Sequence, residues 1–315
     1  MPAGWVAGEL AGLAGVQAEV VALGRDLGHR GDIVPAAVPD SVAEVEFYVP
    51  SFFPSPAAIA VLGQMRSLRV VQTLTAGVDW IRPHVPAAAV LCNARGVHDA
   101  ATAEWVVAAV LAELHSFPLF SAEQAAGRWA YQETGQLAGK TVLIVGYGSI
   151  GAAVERRLAG FEVTVRRVAR SPRPGPDPAG RVAGLAELPG LLPGADVVVL
   201  LVPATPQSQG LAGRDFLRRM KDGALLVNAA RGAVVDTAAL VAEVARGRLR
   251  AALDVTDPEP LPPGHPLWSL PGVFLTPHVA GSTPVSRQRA ARLVREQAEA
   301  YLRGEQLRNV ISGAY

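Results

Sequence analysis

Thr141-Val142-Leu143-Ile144-Val145-Gly146-Tyr147-Gly148-Ser149-Ile150-Gly151 carries a strand-length apolar run straight into a GxGxxG loop, and a helical stretch, Ser149–Leu158, follows. A dinucleotide-binding turn needs each of these parts. Gly146 permits the tight turn. Gly148 removes a Cβ so that a pyrophosphate can approach the backbone. Gly151 lets the helix pack closely on the strand. Ser149 and Ile150 open the helix, whose free N–H groups and positive dipole end suit phosphate. In a chain with 32 glycines the fingerprint alone is weak; its place between strand and helix makes it specific.

Beyond this turn, Val163–Val168, Val197–Val202, Ala224–Asn228, Ala251–Val255 and Val273–Leu275 read as strands. Helical stretches such as Thr237–Arg246 separate most of them, which predicts a parallel, doubly wound sheet. The Pro-rich Ser171–Pro178 reads as a surface loop. Upstream, Asp99 is placed to cap a long helix that should end near Pro118. Glu104, a charge inside that apolar helix, should be hydrogen-bonded or sit at a hinge. In the first 95 residues Val16–Leu23, Val45–Pro50, Val70–Leu74 and Ala89–Cys92 read as strands and Ser55–Met65 as helical, an α/β pattern without a phosphate loop. Thr283 followed by Pro284 starts a last helix reaching about Arg303, able to fold back on the first unit.

Composition argues for a globular protein. The 315 residues suggest two domains, and 50% hydrophobic with 18% charged residues argues against disorder. A net charge of +1 gives no global pull toward nucleic acid or an anionic membrane. The lone Cys92 cannot form an intrachain disulfide or a cysteine metal site, so the expectation is a reducing cytoplasm, with no metal. No basic residue precedes Arg25, and no run reaches the roughly 18 uncharged apolar residues of a membrane span.

The strand after the glycine loop ends Val168-Ala169-Arg170-Ser171. An NAD site usually has an acid there for the ribose 2′-hydroxyl. Arg170, Ser171 and Arg173 instead suit a 2′-phosphate, so NADP(H) is expected over NAD(H).

Three more strand ends carry polar residues, at Asn228–Gly232, Ala252–Pro260 and Leu275–Gly281. With Thr75–Asp79, Asn93–Gly96, Ala103–Trp105, Val234–Asp236 and His265–Trp268, they appear in the order found in the D-isomer-specific 2-hydroxyacid dehydrogenases. The chain resembles that family, and its glyoxylate and hydroxypyruvate reductases in particular, from about residue 70 to 285. The resemblance implies an α/β protein of two Rossmann-like, doubly wound parallel-sheet domains with a cleft between them. Residues 1–96 plus 284–315 would bind substrate, and 97–283 the dinucleotide. It also implies a symmetric homodimer.

Arg231, Glu259 and His278 fall on the family's catalytic positions. The chemistry fits: reducing a 2-oxo acid to the D-2-hydroxy acid needs a hydride at the carbonyl carbon and a proton at its oxygen. His278 is the natural proton donor, because imidazole titrates near neutral pH. Glu259 can bond the other ring nitrogen and stabilise the charged ring. Arg231 can clamp the substrate carboxylate with paired hydrogen bonds. By resemblance Asp254 borders the nicotinamide, Val202, Pro203, Ala229 and Ala230 line the cofactor site, and the backbone of Ala76 and Gly77 holds the carboxylate. Glu259 counts against the formate-oxidising branch, which uses Gln, and the chain's end at Tyr315 counts against the long phosphoglycerate dehydrogenases.

Two other functions share these residues: a dinucleotide-sensing corepressor-like binding module, and a dehydrogenase of a non-carboxylate anion such as phosphite. His29 and His84 read as loop residues, His115 as a helix-surface residue and His265 as part of a structural turn. For His98, Trp80, Trp129 and Tyr131 packing is the favoured reading, although the segment of Trp129 could reach a second subunit.

Overall fold

The structure, a computed structural model, describes residues 3–10, 12–19, 38–52, 56–176 and 180–312. Two compact units share the chain: Met1–His98 with Thr283–Tyr315, and Asp99–Ser282.

The first unit begins with helix α1 (Ala3–Leu10). It continues through β1 (Phe47–Tyr48), α2 (Pro56–Ala60), β2 (Val70–Gln72) and β3 (Val90–Cys92). The strands form a parallel sheet in the order β1-β2-β3. Val61, Leu62, Leu68, Val71, Ile81 and Leu91 make one core beside it. Of Val16–Leu23, the described residues 16–19 carry no strand and the rest lies outside the described residues, as does His29.

The second unit opens with α3 (Asp99–Leu114) and α4 (Phe117–Ala125). Here the sequence expectation is corrected. The long helix stops at Leu114, Ser116 turns left-handed at φ 56°, and Pro118 lies in the first turn of the next helix rather than at an end. Asp99 is itself the first helical residue, and its carboxylate accepts from the Ser149 hydroxyl at 3.2 Å. The chain continues through β4 (Thr141–Val145), α5 (Ser149–Leu158), β5 (Thr164–Ala169), β6 (Arg173–Pro174), β7 (Arg181–Gly184) and α6 (Leu188–Leu191). It ends with β8 (Val197–Leu200), α7 (Arg214–Arg219), β9 (Leu225–Asn228), α8 (Thr237–Ala245), β10 (Arg250–Leu253) and β11 (Val273–Leu275).

The sheet order is β11-β10-β9-β8-β4-β5-β7-β6. All neighbours are parallel except β6 with β7. The Pro-rich stretch is therefore not all loop: Arg173 and Pro174 pair antiparallel with Val182 and Arg181. Winding starts at β4, runs outward through β5, then reverses to β8, which makes the β4/β8 boundary the topological switch point. Side chains alternate across the pleat, so Val198 and Leu200 join one core while Val197 and Val199 join the other. All four are fully buried, and each such side chain contributes about 1.5–3 kcal/mol.

The last helix, α9 (Pro284–Leu302), returns to the first unit. The Thr283 hydroxyl caps it by accepting from the Ser286 N–H at 3.1 Å. Ala290, Leu293 and Val294 pack with Val6, Leu74, Ala94 and Val97. Gln297 Nε2 donates to Gln72 Oε1 at 2.9 Å, both side chains being fully buried.

Candidate active site

The segments singled out in the second unit all leave the carboxyl ends of its parallel strands: the glycine loop from β4, Arg170 and Ser171 from β5, Val202 and Pro203 from β8, Ala229 to Gly232 from β9, Asp254 to Glu259 from β10, and Thr276 to His278 from β11. Ligands of open α/β sheets bind along that edge.

The three glycines of the loop answer to different neighbours. Gly146 has φ +101°, and a Cβ on it would lie 2.5 Å from the Leu201 carbonyl carbon and 2.6 Å from the Val202 nitrogen. A Cβ on Gly151 would stand 3.1 Å from the Gly146 oxygen. At Gly148 a Cβ would meet nothing within 4 Å. Among the described residues no neighbour requires glycine there, and the open space suits a phosphate approaching the backbone. Ser149 and Ile150 follow as the first residues of α5, so the residues present fit a dinucleotide pyrophosphate. Val202 and Ala230 are buried nearby in sequence, while Pro203 is exposed.

At the end of β5, Ala169 is buried and Arg170 and Ser171 are exposed. Arg173 reaches back and donates to the carbonyl of Tyr147, inside the glycine loop. The Tyr147 hydroxyl donates to Glu155, which is also paired with Arg167. Burial works against the charged Glu155 carboxyl, but Arg167 and Tyr147 outweigh it and hold the group below the usual carboxylate range. A depressed folded-state value gives stability that is full above the unfolded value and lost as pH falls through the folded one. Glu155→Gln should therefore lower the melting temperature at pH 7, with the gap to wild type closing below about pH 4. Thermal unfolding across pH checks this; a gap independent of pH would remove the ion pair as its cause.

Arg231, Glu259 and His278 follow three adjacent strands, β9, β10 and β11. His278 Nδ1 lies 2.6 Å from Glu259 Oε1, with about two fifths of each side chain exposed. That bond orients the ring and turns Nε2 to the opposite side. Arg231 is half-buried and lies on the loop that leaves β9, the strand next to β10. Its backbone is braced by Asn228, whose side chain accepts from the Ala230 N–H at 3.0 Å and donates to the Arg231 carbonyl at 2.9 Å. Gly232 then packs so tightly on the next loop that a Cβ would fall 1.9 Å from the Thr256 oxygen. The loops bearing Arg231 and Glu259 are thus keyed together by a contact between backbones.

Asp254 is 3% exposed, and its carboxylate is turned into the β11 loop. Thr276 Oγ1 donates to it at 2.6 Å, and the N–H groups of Val279 and Ala280 at 2.8 and 2.9 Å. Reading the sequence did not find this tie, nor the Gly232 contact or the Tyr147–Glu155–Arg167 group. The only signals were a buried-type strand ending in Asp254 and a glycine directly after Arg231.

In the first unit, Ala76 and Gly77 lie on a loop held from both sides. Asn93 Nδ2 donates to the Ala76 carbonyl at 2.7 Å, and Thr75 Oγ1 to the Gly77 carbonyl at 2.8 Å. His98 is buried, 2.8 Å from the Leu74 carbonyl through Nε2 and edge-on to Phe52, and is a packing residue. His265 Nδ1 accepts from the Leu267 N–H and shapes a turn. Glu104 is exposed and paired with Arg157 at 3.0 Å. Trp129 and Tyr131 correct the packing expectation: they are 99% and 87% exposed. Among the described residues no group of His, Cys, Asp and Glu could hold a metal, and no single helix is long and apolar enough to cross a membrane.

Comparison with known proteins gives the family and the relatives that the chain is similar to. The family model for the D-isomer specific 2-hydroxyacid dehydrogenase NAD binding domain matches residues 107–280. A glyoxylate reductase of Thermofilum pendens is 36% identical over 250 residues, covering 76% of this chain and 73% of that protein. A crystal structure of a D-isomer specific 2-hydroxyacid dehydrogenase from Xanthobacter autotrophicus, in complex with NADPH and MES, superposes with a TM-score of 0.79 at 29% identity, covering 99% of this chain and 96% of that one. The NADPH-dependent glyoxylate/hydroxypyruvate reductase of Sinorhizobium meliloti, with NADP and malonate, gives 0.76 at 27% identity, covering 88% and 86%.

Proposed function

Because this chain belongs to the D-isomer-specific 2-hydroxyacid dehydrogenases, the NAD(P)-dependent oxidoreductases of 2-hydroxy acids, we propose that it reduces a small 2-oxo acid of the glyoxylate or hydroxypyruvate kind to the D-2-hydroxy acid. The observation that carries the proposal is the 2.6 Å bond between His278 and Glu259 at the strand edge that also bears Arg231 and the glycine loop. In this reading Arg231 pairs with the substrate carboxylate and polarises the adjacent carbonyl. A reduced nicotinamide, when bound, supplies the hydride to the carbonyl carbon. His278 gives the proton on Nε2 to the carbonyl oxygen, while Glu259 holds the ring and balances its charge. Val202, Pro203, Ala229 and Ala230 line the nicotinamide side, and the loop of Ala76 and Gly77 offers N–H groups to the carboxylate.

NADP(H) is proposed over NAD(H). The end of β5 carries no acid to repel a 2′-phosphate, and Arg170, Ser171 and Arg173 can receive one. Following NADPH and NADH absorbance with a panel of 2-oxo acids tests both proposals. Fast NADPH oxidation with glyoxylate or hydroxypyruvate is the expected result. A preference for NADH would keep the reductase and overturn the phosphate site. No oxidation of either cofactor by any 2-oxo acid would overturn the reductase.

A further inference from the structure

The carbonyls of the Ala76–Gly77 loop are held by the protein, and that aims its N–H groups. Asn93 Nδ2 donates to the Ala76 carbonyl at 2.7 Å and Thr75 Oγ1 to the Gly77 carbonyl at 2.8 Å. In a trans peptide the next N–H points the opposite way, so those of Gly77 and Val78 turn away from these contacts. Among the described residues neither N–H has a partner, which leaves two adjacent donors for an anion. Asn93 is in turn held by a segment near the end of the chain. Its N–H donates to the Asn309 carbonyl at 3.1 Å, and its Oδ1 accepts from the Arg95 N–H at 3.1 Å. Asn309 Nδ2 donates to the Arg95 carbonyl, also at 3.1 Å. Asn309 has φ +57°, a left-handed backbone that asparagine tolerates. Flanking bonds fix it there. The Ile311 N–H donates to the Leu91 carbonyl at 2.8 Å, and the Arg308 N–H and carbonyl bond the buried side-chain amide of Gln297 at 2.9 and 2.8 Å.

We propose that Asn309 is a positioning residue for substrate binding. It fixes the Asn93–Arg95 turn, and Asn93 then sets the loop whose Gly77 and Val78 N–H groups take the substrate carboxylate. This rests on the reductase reading given above and deepens it. Asn309 thereby tunes substrate affinity through the loop, as a support rather than a contact.

Asn309→Gly keeps the left-handed backbone and removes only the Nδ2 donor. It is expected to raise KM for the 2-oxo acid about fivefold, the scale of one hydrogen bond, with kcat and NADPH affinity within about twofold. Asn309→Asp also tolerates this backbone but offers the Arg95 carbonyl no donor, so it should do the same. A chain ending at Arg308 loses the Asn93 and Leu91 ties as well and should raise KM about 30-fold. A merely destabilised protein behaves differently: less of it is folded, so apparent kcat falls while KM stays. A fall in kcat at constant KM, or NADPH affinity falling in step with the KM change, would overturn the proposal. A second readout needs no turnover. Oxalate, a two-carbon dianion, should shift the Gly77 and Val78 amide resonances in NMR, with about fivefold weaker affinity in Asn309→Gly than in the wild type. If no 2-oxo acid oxidises either cofactor, the reductase reading fails, and this titration still decides the loop: equal oxalate affinity in the two proteins, or no shift at either amide, overturns the positioning role. Should the shortened chain not fold, Asn309→Gly and Asn309→Asp decide alone.

Discussion

His278→Ala is expected to lower turnover by about 10²–10⁴-fold, the range lost with a general acid, while NADPH still binds. In the proposed reduction a proton must reach the carbonyl oxygen as the hydride reaches carbon, and His278 is the side chain proposed to deliver it. Its bond to Glu259 at 2.6 Å fixes which nitrogen faces the reaction. Steady-state kinetics with a titration of NADPH fluorescence separate chemistry from binding. The left-handed backbone at position 278 disfavours alanine, so His278→Asn is the paired control: asparagine tolerates that conformation and cannot act as the acid. Both variants should fold and both should be slow. Wild-type turnover in either would remove His278 as the proton donor.

Gly232→Ala should disable the enzyme without touching a reacting group. The added methyl would lie 1.9 Å from the Thr256 oxygen, 2.1 Å from its carbonyl carbon and 2.7 Å from the Asp257 nitrogen. These are all main-chain atoms, so no side chain can swing aside, and one of the two loops must move. One loop carries Arg231 and the other Glu259, and either shift separates Arg231 from the Glu259–His278 pair, which the proposed reduction needs together. A loss of about 100-fold in kcat is expected from such a misplacement, with about 1–3 kcal/mol of overpacking cost in stability. Gly148→Ala is the contrasting variant. Its methyl meets nothing within 4 Å, so the cofactor-free melting temperature should hold while NADPH affinity falls. Equal melting temperatures for Gly232→Ala and wild type would show that the two loops are not keyed together at this contact.

The second unit could be read from the chain because its signals are local. Thr141–Val145 and Ser149–Leu158 occur in the structure with the bounds that strand periodicity, glycine chemistry and helix start predict. Thr283 and Pro284 open the last helix as a capping hydroxyl and a preset φ require. The hydrogen bond between Glu259 and His278 also follows from residue chemistry once their strand ends are set side by side. Other features depend on which strands become neighbours and in what register, and no local pattern records that. Arg173 and Pro174 form a strand because Val182 and Arg181 lie opposite them. Trp129 and Tyr131 have apolar character, yet both side chains stand exposed. Asp254 looks in sequence like any acid after a buried strand, yet its place next to β11 puts three donors from residues 276–280 around its carboxylate. Gly232 looks like a loop glycine until β10 lies beside β9 and brings Thr256 against it. Turn and capping chemistry act within a few residues and were written in the chain; the contacts of Gly232 with Thr256 and of Asp254 with Thr276, Val279 and Ala280 span more than twenty residues and exist only once the parallel strands align.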